Sequence, residues 1–156
     1  MVQPHEKVVI VFCDITRPMP SHRVLPLILE ELSHIPQENI TLLNALGTHR
    51  ENTREELISM LGEDIVANYR ITQSQASRDE DFLYLPGTEV RLHKDYINAD
   101  FRILTGFIEP HFFAGFSGGP KLVIPGVAHQ SNILEIHSPQ LIKEPRASWG
   151  ITQGNP

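Results

Sequence analysis

The sequence predicts an α/β protein with a largely parallel sheet flanked by helices, a Rossmann-like three-layer domain. Two consecutive strand–loop–helix units open the chain, and the strand candidates are continuous apolar runs. Such runs are typical of strands buried on both faces, as in a parallel sheet. Because a length of 156 residues is that of one ordinary domain, we expect residues 1–156 to form a single α/β domain.

The first unit begins with the β-branched run from Lys7 to Cys13. Prolines follow it directly, and proline cannot donate to a sheet ladder. Ser21 is then expected to cap a helix, with Pro26 in its first turns and Pro36 beyond its end. Its apolar positions recur at helical spacing, at Val24, Leu25, Ile28, Leu29 and Leu32.

The second unit starts with a strand at residues 39–46. Thr53 and Glu56 then have the spacing of a capping box at the start of a helix. Gly62 interrupts the apolar pattern behind it, so we expect either two helices or one helix with a break. Two such units in a row indicate a βαβ repeat and a parallel sheet.

The rest of the chain is less regular. Pro86-Gly87 favours a turn, and the tail from Pro139 is rich in proline, glycine and serine, which predicts partly loop structure. We expect a short strand at residues 70–73, and at residues 82–92 either a hairpin or a strand with an irregular neighbour. A long strand is expected at residues 101–108 and a helix at residues 129–137.

Composition excludes several classes of protein. A net charge of −6 argues against nonspecific nucleic-acid binding. The single cysteine, Cys13, excludes an internal disulfide and is expected to be a small buried hydrophobe. No apolar run has the length of a membrane span, and the start of the chain lacks the apolar core of a signal peptide. A cytoplasmic location and no membrane partner are therefore expected.

The stretch from Gly106 to Lys121 concentrates glycines, a histidine, a serine and a lysine behind the third long strand. Gly118 and Gly119 can bring backbone N–H groups close to an anion, and Lys121 adds a charge. The stretch does not match the Walker pattern, since Lys121 lies between Pro120 and Leu122. It indicates either an anion or nucleotide site of another kind, with His111 beside it, or a glycine-rich turn with an exposed lysine.

Polar clusters follow all three long strands. They are Asp14, Thr16 and Arg17, the run Gly47–Arg50 with His49, and Glu109–His111. Because ligands bind beyond the carboxyl ends of parallel strands, these side chains are expected to meet at one edge of the sheet. Each has a simpler alternative, such as a turn acid for Asp14, a surface arginine for Arg17 and capping or buried histidines for His49 and His111.

The motifs resemble those of the nickel-dependent lactate racemases and their relatives. The matching pieces are Asp14–Ser21, Gly47–Arg50, Gly106–Lys121 and Pro125-Gly126 with the downstream His137. The resemblance runs from about residue 7 to the tail. It implies a domain that binds a nickel-pincer nucleotide, a pyridinium mononucleotide carrying nickel through a carbon and two sulfur atoms.

The resemblance also implies a role for each residue. Lys121 would attach the cofactor covalently, His137 would bind the nickel, and His49 and His111 would be the acid/base pair. Further cofactor contacts would come from the first cluster and from the glycine stretch, at Asp14, Thr16, Arg17, Ser117, Gly118 and Gly119. Arg17 would anchor either the substrate carboxylate or the cofactor phosphate.

The implied activity is inversion of a small 2-hydroxy acid by proton-coupled hydride transfer. The implied partners are that substrate and the proteins that make the cofactor. Family members are longer and have a second domain that adds to the substrate pocket, so we expect this chain to be the N-terminal part, with a missing C-terminal domain or partner chain. Homo-oligomers are also expected, since an isolated domain would expose apolar surface.

Two other functions stay open at this point. One is a non-catalytic nucleotide- or anion-binding module that has kept the glycine stretch without the chemistry. The other is a zinc-dependent hydrolase that uses His49, His111 and His137 as ligands. The second is the weaker alternative, because no carboxylate stands at ligand spacing from these histidines.

Overall fold

A computed structural model describes residues 2–156. The strands are β1 (Val8–Cys13), β2 (Ile40–Ala45), β3 (Arg70–Gln73), β4 (Phe82–Tyr84), β5 (Arg91–His93), β6 (Phe101–Thr105), β7 (Pro110–His111) and β8 (Gly115–Phe116). The α-helices are α1 (Ser21–Glu31), α2 (Arg54–Leu61), α3 (Glu63–Asn68), α4 (Lys94–Ile97), α5 (Gln130–Ile136) and α6 (Pro139–Ile142). Short 3₁₀ helices lie at Gln37–Asn39, Asp79–Asp81 and Gly119–Leu122.

The main sheet has four parallel strands in the order β3-β2-β1-β6. In its register Val8 lies opposite Ile40 on one side and Phe101 on the other. Every residue of the central strand β1 is buried, which is why its sequence is continuously apolar rather than alternating. The predicted parallel α/β fold is confirmed.

Helices and a turn segment cover the two faces of this sheet. On one face, Ile10 and Phe12 pack with residues of α1, α2 and α3 in a core that includes Leu25 and Leu61. On the other face, Val9, Val11 and Cys13 pack against Leu122 and Val127 behind the glycine stretch. The sheet is therefore the middle of three layers, and Cys13 is buried as expected.

Local signals in the second unit are confirmed. Thr53 and Glu56 form the capping box at the start of α2, and Gly62, with φ of 92°, separates α2 from α3. In the first unit, Pro20 rather than Ser21 occupies the N-cap of α1 and makes no side-chain cap hydrogen bond. Ser21 is instead the buried first residue of the helix, so the expectation that it caps is wrong.

The irregular middle of the chain forms a separate hairpin. Strands β4 and β5 pair antiparallel with Phe82 opposite His93, and they do not join the main sheet. The third long strand ends at Thr105, three residues before the predicted end. Gly106 lies so close to the turn at Gly118-Gly119 that an added Cβ would be 2.9 Å from the Cα of Gly118. Residues 106–108, at the start of the glycine stretch, therefore pack on that turn instead of extending the strand.

The glycine stretch itself is ordered by a small hairpin and the tail. Strands β7 and β8 pair with His111 opposite Gly115, and the 3₁₀ helix follows. The N–H of Gly150 donates to the carbonyl of Gly115 at 3.0 Å, so the tail packs against the hairpin. Within residues 2–156, no helix has the length and apolar character needed to cross a bilayer.

Candidate functional site

The carboxyl ends of β1, β2 and β6 surround a cavity of about 190 Å³. Residues after the strand ends contribute one part of its wall, namely Asp14, Arg17, His49 and His111. The glycine stretch and the end of α5 contribute another part, namely Ser117, Gly118, Lys121 and His137. The structure thus brings together eight of the predicted site residues, while Thr16 and Gly119 lie outside the cavity wall.

Asp14 and His49 form a pair across the strand ends. The Asp14 carboxylate is 4% exposed, and its Oδ2 contacts Nδ1 of His49, whose side chain is 49% exposed. The other oxygen, Oδ1, accepts the Thr16 hydroxyl at 2.6 Å and the Thr16 N–H at 3.1 Å. Thr16 therefore fixes Asp14, which in turn orients the imidazole, and its Nε2 has no hydrogen-bond partner within residues 2–156.

The loop that carries His49 is fastened to the segment behind the glycine stretch. Gly47 has φ of 58°, a region that favours glycine, and its N–H donates to the carbonyl of Gly126 at 2.9 Å. Gly126 is itself enclosed, since an added Cβ would lie 2.3 Å from the carbonyl oxygen of Leu122. The two glycines let the backbone segments approach closely, and this sets the position of His49.

A buried amide network supports the same loop, and it was not among the predicted site residues. Asn44 is fully buried in β2 and donates to Asn52 Oδ1 at 2.7 Å and to Gln73 Oε1 at 3.1 Å. Gln73 also accepts the Asn52 N–H at 2.8 Å. The signal in the sequence was a polar residue inside an apolar strand, because a buried amide requires partners.

His111 is held in the small hairpin by backbone hydrogen bonds. Its Nδ1 accepts the N–H of Ala114 at 3.2 Å and, more weakly, the N–H of Phe113 at 3.5 Å. Burial lowers the pKa of His111, and the nearby cations Lys121 and Arg17 lower it further. Both effects favour the neutral imidazole.

Arg17 is paired with Glu109, a member of the polar cluster that follows the third long strand. Glu109 was not among the predicted site residues. The Arg17 Nη1 atom lies 3.1 Å from Glu109 Oε1, and both side chains are partly exposed. Ser117 holds the backbone of Glu109, since its hydroxyl accepts the Glu109 N–H at 3.1 Å and donates to the Phe107 carbonyl at 2.8 Å. The hydroxyl of Ser117 is thus used within the loop, and its assignment as a cofactor contact stays a prediction.

Lys121 lies in the 3₁₀ helix at the floor of the site. Burial above all, together with the Arg17 cation, lowers the pKa of its amine to about 8, and Glu109 acts in the opposite direction. The Nζ atom lies 5.8 Å from the centre of the Phe113 ring. A larger fraction of neutral, nucleophilic amine is therefore available near neutral pH than for an ordinary lysine.

The glycine pair before Lys121 has open backbone donors. Gly118 and Gly119 have φ of 72° and 49°, in the region that glycine tolerates best. Neither N–H has a hydrogen-bond acceptor among the residues that the structure describes. An added Cβ at Gly119 would meet no atom within 4 Å, so space lies beside this turn.

His137 ends helix α5 and presents one ring nitrogen. Its Nδ1 donates to the carbonyl of Ile133 at 2.7 Å, and the ring packs edge-on against Phe113. A metal-binding histidine commonly donates its second nitrogen in this way. No group of three histidine, cysteine or carboxylate side chains in residues 2–156 is placed to hold a metal ion. This geometry gives no support to a three-histidine zinc site.

The fold and the cavity define an α/β domain whose candidate site lies at the carboxyl ends of parallel strands. The chain belongs to the family described as the lactate racemase N-terminal domain, whose model matches residues 1–150.

Known relatives extend this likeness. The chain is 43% identical over 153 residues to a lactate racemase of Lactiplantibacillus plantarum, covering 95% of this chain and 36% of that protein. It is 38% identical over 162 residues to a lactate racemase of Thermoanaerobacterium thermosaccharolyticum, covering 100% of this chain and 38% of that protein. The chain thus spans less than two fifths of the length of these relatives.

Solved structures agree with the fold. The lactate racemase apoprotein from Thermoanaerobacterium thermosaccharolyticum matches 97% of this chain and 38% of its own, with a TM-score of 0.89 and 39% identity. A protein from Thermotoga maritima matches 93% of this chain and 39% of its own, with a TM-score of 0.66 and 26% identity.

Proposed function

We propose that this chain is the catalytic, cofactor-binding N-terminal part of a two-domain 2-hydroxy-acid racemase or epimerase that uses a nickel-pincer nucleotide. One observation carries the proposal. His49, His111, Lys121 and His137 come from three separate segments of a lactate racemase N-terminal domain, and all four line one cavity.

The residues present fit such a cofactor. Lys121 supplies an amine with a lowered pKa for a covalent bond to an acyl group. His137 offers Nε2 to a metal because Nδ1 is bonded to a carbonyl. The N–H groups of Gly118 and Gly119, which meet no acceptor in the part of the chain that the structure describes, suit a phosphate. The cofactor, when bound, supplies the acceptor for the Cα hydride of the substrate.

The chain's own residues would move the proton. A 2-hydroxy acid loses its hydroxyl proton to a base as the hydride leaves Cα, and inversion needs an acid/base group on each side. His49 can take that proton at Nε2, and the buried Asp14 carboxylate stabilises the imidazolium that forms. His111 would serve the opposite side. Arg17 anchors an anionic group, which is either the substrate carboxylate or the cofactor phosphate.

Intact-mass spectrometry after co-expression with the cofactor-making enzymes tests the proposal. The expected result is a covalent adduct on the wild-type chain that is absent from Lys121→Ala. Nickel should remain low in His137→Ala although the adduct forms. Lys143→Ala is the matched control, because this exposed lysine lies outside the cavity, and it should carry adduct and nickel like the wild type.

The other outcomes have distinct meanings. A wild-type chain with neither adduct nor nickel contradicts the proposal, and nucleotide binding in that chain would favour a non-catalytic module. Stoichiometric zinc without an adduct would support the hydrolase. Racemisation is then measured on an adduct-bearing chain supplied with the portion that the longer relatives contain beyond this match.

A further inference from the structure

Of the three histidines that line the cavity, His49 and His111 are both bonded through Nδ1, but to opposite kinds of partner. Nδ1 of His49 is hydrogen-bonded to the Asp14 carboxylate. Nδ1 of His111 accepts a hydrogen bond from the backbone N–H of Ala114. A neutral imidazole carries its hydrogen on one nitrogen only, so the partner of Nδ1 decides which tautomer is present.

At His49 the partner is an acceptor. Oδ1 of Asp14 already accepts the N–H of Thr16, and a carboxylate oxygen has no hydrogen to donate when ionised. The hydrogen of the contact between Oδ2 and His49 must therefore come from Nδ1. This leaves a lone pair on Nε2, to which no described residue donates a hydrogen bond.

At His111 the partner is a donor. The Ala114 N–H points at Nδ1 with an N–N distance of 3.2 Å, and the N–H of Phe113 lies on the same side at 3.5 Å. A nitrogen that accepts these hydrogens cannot carry one, so the hydrogen lies on Nε2. The lowered pKa of His111 agrees with this arrangement, because protonating Nδ1 would set it against a backbone N–H.

We propose that this chain holds the cavity histidines His49 and His111 in opposite tautomers, His49 with a lone pair on Nε2 and His111 with a hydrogen on Nε2. His49 is then ready to accept a proton. His111 can only donate a hydrogen bond until its Nδ1 gives up the Ala114 N–H. Asp14 is a positioning residue for His49, and the backbone of residues 113–114 has the same role for His111.

The consequence for catalysis rests on the proposed function. A 2-hydroxy acid whose hydroxyl faces His49 passes its proton to Nε2, and the O–H electron pair stays on oxygen. A hydroxyl that faces His111 meets a donor instead, and proton transfer there requires a rearranged turn at residues 111–114. The two enantiomers are therefore handled by unlike groups, although both groups are histidines.

Long-range ¹H–¹⁵N correlation spectra of the histidine-labelled chain measure the tautomers directly. They are recorded at mildly alkaline pH without cofactor, and His49→Gln and His111→Gln variants assign the signals. The expected result is a protonated Nδ1 in His49 and a protonated Nε2 in His111. Asp14→Ala should move His49 alone toward the ordinary mixture of tautomers, and the matched control Asp64→Ala, on the exposed start of α3, should move neither signal.

Two results would overturn the proposal. One is the same tautomer in both histidines. The other is a His49 signal that does not change in Asp14→Ala while the chain stays folded, as judged by its other resonances. The spectra need no cofactor, so they can contradict the tautomers while an adduct still forms on Lys121. Equally, the tautomers can be confirmed in a chain that takes no cofactor.

Discussion

Titration of Lys121 is the most direct test of the electrostatics at the site. Burial, with help from Arg17, lowers the pKa of this amine to about 8 from the usual 10.5. At pH 7 about one amine in ten is then neutral, against about one in three thousand at the usual pKa of 10.5. Lys121 should therefore be acylated far more readily than its exposed counterparts.

Trace acylation with an activated ester across a range of pH, followed by peptide mass spectrometry, gives this pKa. The labelling rate of Lys121 should level off above about pH 8. Arg17→Gln should raise the inflection because it removes a nearby cation, and Glu109→Gln should lower it because it removes the opposing anion. Lys143, exposed in the same digest, is the internal reference.

The reasoning is refuted if Lys121 follows the profile of Lys143, or if the two variants shift the inflection in the same direction. The same titration affects stability with a definite sign. The folded chain disfavours protonated Lys121, so this cost is fully present below about pH 8 and disappears as the pH rises toward 10.5.

Further predictions concern the framework of the site. Gly126→Ala should destabilise the chain by about 1–3 kcal/mol in urea unfolding, because its Cβ would lie 2.3 Å from a carbonyl oxygen. Asn44→Ala should cost about 1–3 kcal/mol in the same assay, because it removes the buried amide donor to Asn52 Oδ1 and Gln73 Oε1. Hydrogen bonds from Arg50 above all lower the pKa of Glu56 to about 2, so its stabilising effect should decline as the pH falls from 4.5 toward 2. Glu56→Gln should flatten that part of the stability profile.

Much of the fold is predictable from the sequence because its signals are local. The run at β1 is apolar at every position since both faces of the strand are covered, and the Thr53–Glu56 capping box marks the start of α2. Gly62 marks the boundary between two helices because its φ of 92° suits glycine. Each feature depends on residues within a few positions of one another.

Features that depend on distant contacts are not predictable in this way. The third long strand ends at Thr105 because residues 106–108 contact the turn at Gly118-Gly119, which the apolar pattern at those positions does not reveal. Because the carboxyl ends of parallel strands meet at one edge of the sheet, the sequence predicts that Asp14 and His49 lie at that edge. It does not reveal that Glu109 pairs with Arg17 across 92 positions of sequence, or that Ser117 is bonded within its own loop.

The charges around the cavity explain what kind of ligand it suits. The chain as a whole has a net charge of −6, yet the cavity wall carries Arg17 and Lys121 against the single carboxylate of Asp14. That carboxylate is occupied by Thr16 and His49, and Glu109 engages only Arg17. The amine of Lys121, still charged for the most part at neutral pH, lines the cavity beside the backbone of Gly118, and neither has a hydrogen-bonded anion among the described residues. A ligand with a phosphate or carboxylate would complete this arrangement, and a 2-hydroxy acid acted on through a nucleotide cofactor supplies both groups.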